Sequence, residues 1–288
     1  MPRSGAIDGF SLTYDRRGSG PAVVLLHGWP GDRRDWRHVV DRLGDELTTV
    51  VPDLRGFGES DKLVRDPSDY GAAGQAASVL GLIEELELER PVLAGYDVGS
   101  RTAQQLARAA PDRVGALVLA PPLPGVGDRV LTPEAQSEFW YQAFHRLELC
   151  ERLLDGDRAA VRSYLEHFWS HWSGPAYTPD PAELDRLAAL YGEPGAFTAS
   201  VGWYRSGSGT VAMSLAERSP AAQDRIPIPT TVLWPEHDPL FPAAWGDRLH
   251  EFFADVRRED LAGVGHFSPL EAAGRFAEAI AAAAGDVR

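Results

Sequence analysis

Residues 93–107 read LAGYDVGSRTAQQLA, and their interpretation decides the architecture of the chain. The run opens apolar, turns sharply through Gly95-Tyr96-Asp97-Val98-Gly99 and continues with the periodicity of a helix. A strand that breaks directly into a helix over such a turn holds one side chain up at its tip. Small residues two positions to either side let the flanking backbones approach each other. Asp97 occupies that tip, and the free N–H groups of the following helix favour negative charge beside it.

Similar apolar runs lie on both sides of this one: PAVVLLHG, LTTVVPDL and RVGALVLAPP, separated by helical patterns such as YGAAGQAASVLGLIEELELE. Strands that are apolar on both faces and joined by helices predict an α/β fold, a mostly parallel sheet flanked by helices. After APPLPGVGD the strand signal stops, and helical patterns rich in Trp, Tyr and Phe continue until IPIPTTVLWPEHD resumes it. The expected organisation is a core of residues 1–125, an inserted helical cap of residues 126–222 and a second core segment of residues 223–288. The first cap helix is expected to start with Thr132 as N-cap and Pro133 and Glu134 in its first turn. It should carry Trp140, Ala143, Phe144 and Leu147 on one apolar face, with Tyr141 at the flank. The chain closes with a strand-like run, VRREDLAGVGH, and an amphipathic helix, PLEAAGRFAEAIAAAA.

With 28 basic and 42 acidic residues the chain carries a formal net charge of -14. That balance repels phosphate backbones and anionic lipid heads, so neither nucleic acid nor a membrane surface is an expected partner. Cys150 is the only cysteine, which excludes an internal disulfide framework and a cysteine zinc cluster. No secretory leader pattern opens the sequence, and no apolar run approaches the roughly 20 residues of a membrane helix. A cytoplasmic location is the expectation.

Three further signals stand at the ends of strand-like runs. His27-Gly28-Trp29-Pro30 follows VVLL, where a backbone N–H can be aimed at the tip of the elbow. The N–H groups of Trp29 and of Val98, the residue after Asp97, suit an oxyanion hole. Asp238 follows a strand in WPEHDPLFP, and His266 sits in a glycine-flanked loop in GVGHFSPLE. The chain order of nucleophile, acid and histidine assigns His266 as base and Asp238 as the group that fixes its tautomer.

These segments together, HGWP, DLRGFGESD, GYDVG, the inserted cap, WPEHD and GVGHF, resemble the α/β-hydrolase superfamily over nearly the whole chain. An aspartate at the elbow resembles its epoxide hydrolase and dehalogenase branch. The resemblance implies that the Asp97 carboxylate displaces a leaving group at a saturated carbon, giving an alkyl ester that His266-activated water then hydrolyses. It implies no metal or organic cofactor, with water and a largely apolar small-molecule epoxide as substrates; monomer and homodimer both stay open.

The leaving group separates the two branches. An epoxide oxygen needs a proton donor as the ring opens, and phenols, neutral at pH 7 with a pKa of about 10, suit that task. By resemblance, Tyr141 in FWYQAFH and Tyr204 in VGWYRSG match the cap positions of ring-opening tyrosines. His167, in YLEHFWSHW, is a competing cap donor by the same resemblance, on a face shared with Tyr164 and His171 that suits either a cavity or solvent. Arg101 matches one of two arginines that bind the carboxylate of haloacids in fluoroacetate dehalogenases, and it equally suits an ion pair within the core. The other arginine position, next to the nucleophile, is Val98 here, as is the place where haloalkane dehalogenases carry a halide-binding tryptophan. Trp29 either donates an indole N–H or forms an apolar wall. The expectation is an epoxide hydrolase, with hydrolytic dehalogenation as the rival and a ligand-binding protein that has lost the chemistry as the remoter one.

Overall fold

The computed structural model describes residues 1–63 and 65–287. Strands β1 (Tyr14–Arg17), β2 (Ala22–Leu26), β3 (Thr48–Pro52), β4 (Val92–Gly95), β5 (Ala116–Leu119), β6 (Thr230–Pro235) and β7 (Val256–Leu261) form one sheet. Its order is β1-β3-β2-β4-β5-β6-β7, and every pairing is parallel except that of β1 with β3. The inner strands are buried on both faces because Val, Leu, Ala and Thr occupy most of their positions, as in AVVLL and TTVVP. The edges are polar. In β7 only Leu261 is buried in VRREDL, and in β1 only Tyr14 is buried in YDRR, so exposed charges discourage edge-to-edge pairing. β1 went unanticipated because four mostly charged residues show neither an apolar run nor a clear alternation.

Helix Val98–Ala109 lies on β4 and β2 with Ala72–Glu85 packed against it, and Ala273–Asp286 lies on β5, β4 and β2 with Arg37–Leu43 against it. Buried Phe276, Ile280, Ala283 and Ala284 form the core face of the last helix. The candidate nucleophile, acid and base therefore all follow parallel strands at one edge of the sheet: Asp97 after β4, Asp238 after β6 and His266 after β7. That carboxyl edge is where α/β sheets bind ligands.

Between β5 and β6 the described residues form no strand, and helices run from Pro133–Glu138 to Thr210–Ala216. Thr132 caps the first of these, its hydroxyl accepting from the Ala135 N–H at 3.3 Å. The expected single stripe along that helix needs correction. The helix stops at Glu138 and a second one runs Trp140–Phe144, so one 3.6-residue period does not continue across Phe139. Trp140 and Leu147 are consequently exposed, while Phe139 and Tyr141 are buried. No helix among the described residues is long and apolar enough to cross a membrane.

Candidate active site

Asp97 has φ 49° and ψ -121°, a left-handed conformation that costs a non-glycine residue on the order of 1–3 kcal/mol. Surrounding bonds hold it there: its N–H donates to the Pro121 carbonyl at 3.0 Å, and the Ser100 N–H donates to the Tyr96 carbonyl at 3.2 Å. The two glycines of the elbow are sterically required. A Cβ on Gly99 would lie 2.0 Å from the Leu26 carbonyl oxygen, and one on Gly95 would lie 2.6 Å from the Gly99 carbonyl group.

The backbone N–H of Trp29 donates to Oδ1 of Asp97 at 2.8 Å. Val98 opens the elbow helix, so its N–H is among the first-turn amides that lack an intrahelical acceptor. His27 stiffens the loop beneath. Its Nδ1 lies 2.9 Å from the Gly28 carbonyl and its Nε2 3.0 Å from the Leu54 N–H, an arrangement that assigns Nδ1–H as donor and Nε2 as acceptor. Burial favours this neutral form by lowering the pKa.

On the other side of Asp97, the Nδ1 of His266 lies 2.8 Å from Oδ2 of Asp238, whose Oδ1 accepts from the Leu240 N–H at 2.9 Å. The His266 Nε2 stands 3.6 Å from Oδ2 of Asp97 and has no hydrogen-bond partner. Burial disfavours the imidazolium, but the Asp238 carboxylate at Nδ1 and the Asp97 carboxylate facing Nε2 outweigh it, raising the pKa to about 10. The His266 loop is clamped from above, since the His266 N–H donates to the Trp172 carbonyl at 2.8 Å.

A box of aromatic side chains roofs the carboxylate. The Trp29 ring stacks on Tyr141 with centroids 5.8 Å apart and meets Tyr204 edge-on at 5.9 Å. Tyr141 and Tyr204 are themselves 5.6 Å apart, edge to face. Both phenols keep their protons. Burial and then the Asp97 charge raise the Tyr141 pKa, while burial, Tyr141 and Asp97 raise that of Tyr204.

The family model for the α/β-hydrolase fold matches residues 21–273. The chain belongs to the α/β-hydrolase family. Among its relatives is a soluble epoxide hydrolase of Corynebacterium sp., 29% identical over 286 residues, covering 92% of this chain and 90% of that protein. Another is a fluoroacetate dehalogenase of Burkholderia sp., 30% identical over 203 residues, covering 69% of this chain and 66% of the other. A solved structure of the epoxide hydrolase CorEH superimposes with TM-score 0.85 over 100% of this chain and 99% of that one; at 24% identity the likeness concerns the fold. The family is one of hydrolases, enzymes that use water to split a bond in a small molecule.

Two candidate binding residues of this α/β-hydrolase lie away from the carboxylate. His167 is exposed, its ring stacked 5.8 Å from His171, which in turn pairs with Glu138 at 2.8 Å. The face shared with Tyr164 is a helix boundary: Tyr164 turns inward and the two histidines face solvent. Arg101 is buried and its two terminal nitrogens are engaged by Glu217 at 2.8 Å and the Leu123 carbonyl at 3.1 Å, the core ion pair, while its Nε is left without a partner. Between the readings for Trp29, the ring is a wall of the aromatic box, while its buried indole N–H is left without a partner.

Two residues of the α/β-hydrolase site escaped the sequence reading. His145 is fully buried, 4.7 Å from both the Trp29 and Tyr204 rings, with Nε2 3.0 Å from the Tyr164 hydroxyl. Burial, with Arg205 adding to it, lowers its pKa well below the ordinary histidine value and keeps it neutral. The available signal was its spacing, four residues after Tyr141. Tyr191, whose hydroxyl bonds to Gly31, carries no such signal because its partner is 160 residues away.

Proposed function

We propose that this α/β-hydrolase opens an epoxide to a vicinal diol through an ester on Asp97. The observation that carries the reading is the single convergence on that carboxylate: Trp29 N–H on Oδ1 at 2.8 Å, His266 near Oδ2 at 3.6 Å, and the buried Tyr141 and Tyr204 rings overhead.

Oδ2 of Asp97 attacks a ring carbon, the C–O bond breaks, and the departing oxygen takes a proton from the Tyr204–Tyr141 pair. An alkoxide is too basic to leave unprotonated at neutral pH, so a phenol with its proton retained supplies what halide departure would not need. Esterification removes the Asp97 charge. One of the two carboxylates that hold the proton on His266 is thereby lost and its pKa falls, so the imidazolium passes its proton to the phenolate left on the tyrosine pair and becomes a neutral base when water must be activated. His266 Nε2 then accepts a proton from water as the water oxygen adds to the ester carbonyl carbon. The Trp29 and Val98 N–H groups hold the resulting oxyanion. Collapse breaks the acyl C–O bond, and His266 returns its proton to the diol oxygen. Asp97 is left as a carboxylic acid whose proton passes to His266, restoring the imidazolium between two carboxylates. The helices over the site act as a cap that excludes bulk water from these steps.

A second reading, hydrolytic dehalogenation through the same ester, draws on the unpartnered Trp29 indole N–H, a donor suited to halide. Arg101, tied to Glu217, and the apolar Val98 side chain count against a haloacid carboxylate site. The deciding experiment uses His266→Gln with styrene oxide and, separately, fluoroacetate, read by intact mass and peptide mapping. The reading requires a styrene-oxide adduct on the Asp97 peptide and a diol from the wild type. An unmodified variant beside an active wild type overturns the ester route, and fluoride release without any diol favours the second reading.

A further inference from the structure

The loop that carries the Trp29 N–H is held from the cap side, residue by residue. Trp169 donates its indole N–H to the Pro30 carbonyl at 3.0 Å. The Tyr191 hydroxyl donates to the Gly31 carbonyl at 2.7 Å and accepts from the Gly31 N–H at 3.0 Å. Arg186 grips Asp32 with both terminal nitrogens, at 2.6 and 3.0 Å, while Glu183 braces the same guanidinium through its Nε at 2.8 Å. Trp169, Arg186 and Tyr191 all belong to helices inserted between β5 and β6, Arg158–Trp172 and Pro181–Tyr191. From below, Gly31 abuts Asp35, where a Cβ would meet Oδ2 at 1.9 Å, and the Tyr96 hydroxyl donates to that same oxygen at 2.6 Å.

We propose that Tyr191 and Arg186 are positioning residues that hold the oxyanion loop in register, so that the Trp29 N–H meets Asp97 Oδ1 only while the cap is seated. The proposal rests on the ester route above and assigns these two residues to its second half. As the carboxylate is alkylated, charge on Oδ1 falls, so a loosened Trp29 N–H costs that step little. During ester hydrolysis charge grows on Oδ1, and an amide displaced by a fraction of an ångström stabilises the oxyanion poorly. A merely structural contact would weaken both steps together.

Tyr191→Phe removes the hydroxyl and leaves both Gly31 backbone groups unpaired, and Arg186→Met removes the grip on Asp32. Rapid-quench mass spectrometry with styrene oxide measures ester formation and ester decay separately in each, beside thermal melts. Decay is expected to slow about tenfold, the order of a weakened oxyanion donor, with formation within about twofold, so that alkylated enzyme accumulates at steady state. Arg186→Lys, which keeps the charge on a single donor nitrogen, should restore part of the decay rate. Equal loss in both steps, or no change in either, overturns the proposal, and Arg186→Met decides it should Tyr191→Phe fail to fold. The His266→Gln control separates the two questions. No adduct there defeats the ester route itself, whereas an adduct there with unchanged partitioning in the other variants defeats only the latch.

Discussion

The Nε2 of His266 stands 3.6 Å from Oδ2 of Asp97, beyond a hydrogen bond yet close enough for their charges to govern each other. With Asp238 on Nδ1 at 2.8 Å, the imidazole lies between two carboxylates.

Replacing Asp97 by Asn removes one of those charges, so the His266 pKa should fall from its raised value of about 10. Titration of the imidazole by NMR in both proteins tests this, and an unchanged midpoint would contradict the electrostatic account. The stability consequence has a definite sign. Because the folded pKa is raised, the contribution is fully present below the unfolded value of about 6.5 and is lost as pH rises towards about 10. In Asp97→Asn the loss should end at lower pH, measurable as Tm against pH.

Tyr204→Phe and Tyr141→Phe should each slow ester formation by roughly 10- to 100-fold while leaving the decay of a preformed ester unchanged. Stopped-flow quenching of Trp fluorescence during a single turnover resolves the two phases. A slowed decay phase would assign the tyrosines to the wrong half of the reaction.

Glu217→Ala leaves Arg101 as a buried cation without its carboxylate, since their 2.8 Å pair lies in a site where Arg101 is almost fully enclosed. Removing one partner of a buried pair costs about 3 kcal/mol, which lowers Tm by roughly 5–10 °C. Calorimetry checks the shift, and a Tm within a degree of wild type would show the pair to be dispensable.

Gly99→Ala places a methyl group where the Leu26 carbonyl oxygen would be 2.0 Å away, and backbone on backbone cannot swing aside. The expected cost is about 3 kcal/mol or more, with loss of activity, read from denaturant unfolding and diol formation. Wild-type behaviour would mean that the elbow is looser than this packing allows.

His167→Ala should leave kcat/KM within about twofold of wild type, because the side chain faces solvent beside His171. A large loss in diol formation would return His167 to the site.

Much of this was readable from local chemistry. An inner strand of a parallel sheet must be apolar on both faces, so AVVLL, TTVVP and TTVLWP announce themselves, and GYDVG announces a sharp turn because only glycine tolerates the backbone approach on either side. Each of those signals is contained within a few consecutive residues, and their order along the chain points to the elbow, the acid and the histidine. What lies beyond is set by packing between segments distant in sequence. Whether Arg101 faces a ligand or Glu217, whether His167 faces a cavity or water, and that Tyr191 meets Gly31 across 160 residues are outcomes of how helices seat on a sheet. Periodicity places a side chain on one face of its own helix and carries no information about what that face meets, because burial and charge pairing are properties of two surfaces together.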